Sequence, residues 1–197
     1  IQNWNLHRAE AIITDSQVSK RDIIKHLNIP DSKIHVVYLG VDKKFKPLDR
    51  NTNKSYILYV GDVNYNKNLP ALLEAFALLN LPETQLVLAS RVWHQSITEV
   101  QNLKQQIHHL NITDRVRFDI NPHLVQLYNQ AQVYVQPSLY EGFGLPVLEA
   151  MASGTPVVAT RVASLPEVCG TAAILVNPDP HSLAAGIRRA LHLSPKQ

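Results

Sequence analysis

Two glycines and two acidic residues share the segment Pro137 to Glu149, and this combination suits the binding of an anion beside hydroxyl groups. Gly142 and Gly144 carry no side chain, so a ligand can approach the backbone closely there. Pro146 suits the first turn of a helix, and the free N–H groups at a helix start attract phosphate. The alternative explanation is a strained turn that needs two glycines for its own geometry.

Glu141 and Glu149 bracket this loop, with seven residues between them. A carboxylate repels phosphate, so we expect both side chains to accept hydrogen bonds from hydroxyl groups instead. Glu149 lies early in the expected helix and suits sugar hydroxyls, much as an acidic residue holds ribose in dinucleotide folds. Glu141 suits a hexose hydroxyl or a developing positive charge at a sugar carbon. The alternatives are stabilisation of the helix dipole by Glu149, worth roughly 0.3–1 kcal/mol, and a surface turn residue at Glu141.

Lys67 is the cation that we expect beside this loop. It follows an apolar run, residues 56–60, that ends at Gly61, and it lies in the polar stretch 62–68. An ammonium group at that position can neutralise a diphosphate as it leaves. An ordinary solvated lysine is the alternative.

Strands that alternate with helices must position these residues. Short apolar runs separated by helix-period segments predict a Rossmann-like α/β fold, a parallel sheet with helices on both faces. Ligands of such sheets bind beyond the carboxyl ends of the strands, here the loops after residues 60, 89, 118 and 136. We predict strands over 56–60, 85–89, 116–118, 133–136, 156–160 and 173–176, and helices over 68–79 with Asn68 as N-cap, 97–110, 123–130, 145–153 closed by Gly154, and 179–193.

Residues 1–50 do not belong to that alternation. We predict a strand at 11–14, a helix capped by Asp15 or Ser16 that runs to His26, a strand at 34–38 and a polar linker at 43–54. This part is too short to bury a core of its own. We therefore expect residues 1–50 to be the end of a preceding domain with its hinge, residues 51–197 to be the main domain, and the chain to be a segment of a longer protein.

Composition and charge exclude several classes of protein. The 45% hydrophobic content excludes a disordered chain, and the single cysteine, Cys169, excludes a disulfide framework or a cysteine zinc cluster. The nine histidines lack ligand spacing, so we expect no metal. The net charge of +3 arises entirely within residues 1–50, and a balanced main domain argues against nucleic acid. Lys43, Lys44 and Lys46 form either a solvated linker surface or a contact with acidic lipid headgroups.

The motifs resemble those of retaining glycosyltransferases of family 4, in the C-terminal, donor-binding domain of the GT-B fold. Residues 11–42 resemble the end of the acceptor domain and the hinge. The matching stretches are Tyr59-Val-Gly61 with Lys67-Asn68, Pro137-Ser-x-x-Glu-Gly-Phe-Gly-Leu-Pro-Val-Leu-Glu-Ala-Met151, Gly154-Thr-Pro-Val-Val158, Leu165-Pro-Glu167 and Val176-x-Pro178.

The resemblance implies a role for each of these residues. Glu141 and Lys67 would be catalytic, with Glu141 near the donor sugar and Lys67 on the phosphates, while Glu149 would bind the ribose. The remaining donor-binding residues would be Gly61, Asn66, Gly142, Phe143, Gly144 and Leu145, the last four through their amides. A UDP- or GDP-sugar would be the substrate, with no metal and no cofactor. Its hexose, mannose or glucose, would pass to a glycan, lipid or small-molecule acceptor with retained configuration.

This sequence departs from the family pattern at two places, Asp62 and the stretch Ala89-Ser90-Arg91, which replaces glycines that the family often has after the second strand. Asp62 stands where the family commonly has arginine, so Arg91 becomes the candidate for a second phosphate-binding cation. We expect base contacts near residues 118–121, a location in the cytoplasm or at the inner membrane face, and little transfer without the preceding domain. Two alternatives to transfer are a non-catalytic nucleotide-sugar-binding module and a GT-B relative that cleaves or epimerises sugars.

Overall fold

The computed structural model describes residues 6–49, 55–95 and 97–192, and a six-stranded parallel sheet dominates it. Helices lie on both faces of that sheet, as the alternation predicted. The strands are β1 (Ile12–Thr14), β2 (Ile34–Val36), β3 (Tyr56–Val60), β4 (Gln85–Ala89), β5 (Val116–Asp119), β6 (Val133–Gln136), β7 (Val157–Thr160) and β8 (Ile174–Val176). The helices are α1 (Gln17–Leu27), α2 (Leu69–Leu79), α3 (Thr98–His109), α4 (Leu124–Gln130), α5 (Leu145–Ala152), α6 (Leu165–Cys169) and α7 (Pro180–Leu191).

The core forms two layers because the strands are apolar on both faces. All five residues of β3 are buried. Ile57 and Tyr59 pack with α2, α3 and α7, whereas Leu58 and Val60 pack with α4, α5 and α6 on the other face. Continuous apolar runs of this kind are what burial between two helix layers requires.

The strand order reverses between β3 and β6. The sheet runs β5-β4-β3-β6-β7-β8, and every adjacent pair in it is parallel. The chain therefore leaves β3 toward one edge of the sheet and leaves β6 toward the other. Such a switch point opens a crevice at the carboxyl ends of the two strands, where ligands of this fold class bind.

The first part of the chain packs against this domain. β1 and β2 form a separate parallel pair, and Ser16 caps α1 by accepting the amide of Ser19 at 3.1 Å, as predicted. The Ser16 hydroxyl also donates to the carbonyl of Gly142 at 2.9 Å, and the carboxylate of Glu167 accepts the amide of Gln17 at 2.8 Å. An acid of the main domain thus satisfies a free N–H at the start of α1.

The predicted linker is more than a solvated surface. Phe45 is buried and meets the ring of Tyr128 edge-on at 5.8 Å, whereas the neighbouring lysines are exposed. Asn129 of α4 accepts the amide of Leu48 at 2.7 Å and donates to the carbonyl of Lys46. Because the segment is mostly polar, its composition did not predict these contacts with Tyr128 and Asn129. The predicted domain boundary at residues 50 and 51, and the predicted end of the last helix at residue 193, lie outside the described residues.

Asn68 occupies the predicted N-cap position of α2, but its side chain makes no capping hydrogen bond to the helix. Its φ of 50° is left-handed, and its amide donates to the carbonyls of Pro137 and Pro178, both at 3.0 Å. Asn68 therefore ties the loop after β3 to the loop after β6. We did not predict the short helix α6 from the sequence. In the described part of the chain, no helix has both the length and the apolar surface that a bilayer crossing requires.

Candidate functional site

An ion pair lies at the switch point between β3 and β6. Lys67 follows β3 and Glu141 follows β6, and the Lys67 Nζ and Glu141 Oε1 atoms are 2.7 Å apart. The two side chains are 21% and 11% exposed, so water screens the pair less than it screens a surface bridge. The sequence predicted both residues at the same rim of the sheet, and the structure brings them into direct contact.

Two neutral groups also donate to the same oxygen of Glu141. Gln136 Nε2 and Ser138 Oγ each lie 2.7 Å from Oε1. Among the described residues, none donates to the other carboxylate oxygen, Oε2. Sequence reasoning missed Gln136 and Ser138, although a glutamine at the end of a strand as apolar as β6 is the signal that could have found the former.

The glycine turn that follows Glu141 presents unpaired amides. The Ser164 hydroxyl lies 2.9 Å from the carbonyl of Glu141 and 3.1 Å from that of Phe143. In a trans peptide the N–H points opposite to the C=O, so the amides of Gly142 and Gly144 point away from Ser164. Within the part of the chain that the structure describes, the amides of residues 142–145 meet no protein acceptor. They lie at the start of α5, whose dipole favours negative charge.

The two glycines of the turn are there for different reasons. Gly144 has a φ of +103°, and a Cβ there would come within 2.9 Å of Leu165 Cδ2. A Cβ on Gly142 would meet nothing within 4 Å. Geometry and packing therefore require glycine at 144 but not at 142. The bare backbone at Gly142 keeps the approach to the turn open, which favours a ligand there.

Glu149 occupies a different environment on α5. The hydroxyl of Tyr128 donates to its Oε2 at 2.9 Å, and the side chain is half-buried. Burial raises the pKa of Glu149, and the hydrogen bond from Tyr128 lowers it less. Within the described residues, no hydrogen bond joins Glu149 to Lys67 or Glu141. The structure therefore separates the two glutamates into distinct sites around one turn.

The loop after β3 supports the turn through its backbone. The carbonyl of Asn66 accepts the amide of Leu139 at 2.8 Å, while the Asn66 side chain is exposed. Gly61 is needed for packing, because a Cβ there would lie 2.7 Å from the Tyr59 hydroxyl. The Tyr59 hydroxyl donates to the backbone carbonyl of Asp62, and the side chain of Asp62 is exposed.

The remaining predicted site residues lie around this crevice without joining the ion pair. Phe143 is buried and its ring lies 6.5 Å from that of Tyr38, whereas Leu145 is exposed. Arg91 begins the turn after β4, on the side of β3 away from β6, and its side chain is exposed. The described residues contain no group of three or more His, Cys, Asp or Glu that could hold a metal ion.

Comparisons of this chain with known proteins agree on one protein family. The model of the family described as "Glycosyl transferases group 1" matches residues 40–197. The chain is 38% identical over 196 residues to MMP alpha-(1->4)-mannosyltransferase of Mycolicibacterium hassiacum, covering 94% of this chain and 46% of the relative. It is 33% identical over 208 residues to O-antigen chain mannosyltransferase B of Escherichia coli, covering 95% and 53%. The chain thus spans about half the length of these relatives.

A solved structure shows the same fold. Anabaena Alr3699/HepE in complex with UDP-glucose superimposes with a TM-score of 0.86 at 23% identity. The superposition covers 98% of this chain and 59% of that one.

Proposed function

The chain belongs to the family of group 1 glycosyl transferases, with a GT-B glycosyltransferase domain, and on that premise we propose that it binds a nucleotide-diphospho-sugar. As part of a longer protein, it transfers the hexose to an acceptor with retained configuration. One observation carries the proposal: at the switch point of the sheet, the Lys67–Glu141 pair adjoins four amides that have no acceptor among the described residues.

The diphosphate binds at the glycine turn. The amides of residues 142–145 donate to its oxygens, and the positive end of the α5 dipole adds to the attraction. The Lys67 ammonium, now on Glu141, moves to the phosphates as they bind. It then balances the negative charge that grows on the leaving diphosphate when the bond to the sugar breaks.

The two glutamates hold the two sugars of the donor. Glu141 Oε2, which receives no protein hydrogen bond among the described residues, accepts a hydroxyl of the hexose. Glu149 accepts the ribose hydroxyls with the lone pairs that Tyr128 leaves free. Retention of configuration and the absence of a metal rest on the resemblance to family 4.

Mannose is the first sugar to test, because both named relatives are mannosyltransferases. Glucose is the second, because the Anabaena structure contains UDP-glucose. The base is uracil or guanine, held near residues 118–121 as the sequence predicted. The acceptor is a glycan, a lipid or a small molecule, and a peripheral membrane contact through Lys43, Lys44 and Lys46 remains part of the proposal.

A thermal-shift series tests donor binding. UDP-, GDP- and ADP-sugars are compared with free mannose as the control, and we expect at least one nucleotide-sugar to raise the melting temperature while free mannose does not. A ligand that binds only the native state stabilises it by about 2.7 kcal/mol at a concentration 100-fold above its Kd. If no nucleotide-sugar changes the melting temperature at millimolar concentration, the proposal is wrong.

A non-catalytic nucleotide-sugar-binding module is the second candidate. Asp62 favours it, because an exposed carboxylate stands at the end of β3 where a second cation would bind phosphate. Acceptor-dependent release of nucleoside diphosphate separates the two functions. Release that requires an acceptor supports transfer, release without one indicates hydrolysis, and tight donor binding without release supports the binding module.

A further inference from the structure

We infer that Gln136 is a positioning residue for Glu141, an assignment that rests on the proposed function. Gln136 is the last residue of β6 and is 1% exposed, so it cannot touch the donor itself. Its amide group nevertheless contacts the carboxylate that the donor meets. Gln136 thus acts on the donor only through Glu141.

Hydrogen bonds at both ends fix the orientation of the Gln136 amide. Its Nε2 donates to Glu141 Oε1 at 2.7 Å and to Ser138 Oγ at 2.8 Å, while its Oε1 accepts the hydroxyl of Tyr134. A flipped amide would turn its oxygen toward the carboxylate and lose both donations. Because Gln136 is 1% exposed, water has little access to replace these donations, and the flipped state is disfavoured.

The backbone that carries these groups is held as well. Thr160 Oγ1 donates to the carbonyl of Ser138 at 2.6 Å, and Ser138 is fully buried. The Ser138 hydroxyl donates to Glu141 Oε1 while its oxygen accepts from Gln136. Gln136 and Ser138 therefore form a rigid neutral support on one side of the carboxylate.

This support matters most when Lys67 leaves. Oε1 of Glu141 now receives three donors, of which the lysine is the flexible one. When the ammonium turns to the diphosphate, Gln136 and Ser138 still hold Oε1, so Oε2 stays aimed at the hexose hydroxyl. Without Gln136 the carboxylate loses its orientation at the moment when the donor requires it.

A double-mutant cycle on kcat/KM for the donor tests this assignment. The variants are Q136L, E141A and the double variant, with I187V in the core on α7 as a control for lost packing. We expect Q136L to lower kcat/KM about 10- to 100-fold, as the loss of a hydrogen bond to a charged group does. In the E141A background the same change has less than about a twofold effect, because Gln136 acts through Glu141.

Inhibition by the nucleoside diphosphate alone provides the second kinetic measurement. We expect Q136L to leave its inhibition constant within about twofold of the wild-type value, because the diphosphate does not meet Glu141. An undiminished effect of Q136L in the E141A background, or an equal loss of diphosphate affinity, would overturn the assignment. Among the described residues, Q136L leaves the Tyr134 hydroxyl only the carbonyl of Val60, at 3.5 Å, as an acceptor. If Q136L folds poorly for that reason, the variant Y134F/Q136L removes both buried groups and replaces it.

Crystal structures of K67A and K67A/Q136L without ligand complete the test, because K67A removes the ammonium that holds Oε1 in the free protein. We expect the Glu141 carboxylate to leave its K67A position in K67A/Q136L, and an unmoved carboxylate would overturn the assignment. This measurement needs no donor. A wild-type protein that binds no nucleotide-sugar would refute the proposed function, whereas the carboxylate positions test Gln136 separately.

Discussion

The two ends of the glycine turn carry the same residue type in opposite surroundings. At Glu141, one carboxylate oxygen receives Lys67, Gln136 and Ser138, so an ammonium balances its charge in place. At Glu149, the Tyr128 phenol donates to the carboxylate, and burial raises the pKa of Glu149. Identical side chains eight residues apart thus lie in different electrostatic surroundings: a cation balances the charge of the first, and burial disfavours the charge of the second.

The largest effect is expected from removing the cation on the Glu141 side. K67A takes away both the partner of Glu141 and the charge that we propose for the diphosphate, so we expect kcat/KM to fall about 100- to 1000-fold. K44A is the matched control, because Lys44 is the cation that acts on Glu149 and it forms an exposed pair with Asp42 at 3.1 Å. Steady-state kinetics that show equal losses for the two variants would remove the distinction between the two ends.

An intermediate effect is expected from E149Q. The substitution removes the charge that we propose for the ribose hydroxyls, and we expect donor affinity to fall about tenfold. The same substitution removes a carboxylate that burial disfavours, so stability at pH 7 should rise by less than about 1 kcal/mol after solvent screening. Donor titration and urea unfolding measure the two effects, with E83Q at an exposed position as the control for charge.

The stabilisation by E149Q depends on pH in a defined direction. Because the pKa of Glu149 is raised above 4.5 in the folded state, the native protein binds this proton more tightly than the unfolded chain does. Wild-type stability therefore decreases as pH rises through the window above 4.5, and E149Q lacks that decrease. Below that window Glu149 is protonated in both states and the advantage of E149Q disappears. An advantage that grows toward low pH would contradict the assigned cause.

The smallest effect is expected from D62R, which adds a second cation on the Lys67 side. The Asp62 side chain is exposed and only its carbonyl is used by Tyr59, so arginine fits without disturbing the loop. We expect donor affinity to rise about three- to tenfold at low salt and the gain to shrink at high salt. D114R makes the same charge change in the turn before β5, at the opposite edge of the sheet. Equal gains for both variants would indicate a general attraction rather than a local contact.

The fold followed from the sequence because its pattern is local. Every strand of the large sheet except β5 (Val-Arg-Phe-Asp) is a short, mainly apolar run, and each major helix has its own stripe or cap, so neighbouring residues suffice to predict them. The strand order is not local, and it makes the loops after β3 and β6 adjacent. The sequence therefore predicted Lys67 and Glu141 at one rim but not the 2.7 Å contact between them.

Side chains that act across the fold were the ones that sequence reasoning missed. Asn68 looked like a helix cap, yet its amide serves two carbonyls that are 69 and 110 residues away along the chain. Gln136 looked like the end of an apolar strand. Both errors have one cause: a polar side chain takes the partner that folding brings near, and its sequence neighbours do not reveal that partner.

The contacts between α1 and the glycine turn bear on the engineering of chimeric enzymes. Ser16 donates to the carbonyl of Gly142, Tyr140 donates to Asp22 at 2.6 Å, and Glu167 accepts the first amides of α1. In a chimera joined between residues 50 and 51, a helix from another protein would take the place of α1 beside the glycine turn. A junction placed before β1 would instead keep α1 and the glycine turn from the same protein, together with the hydrogen bonds between them.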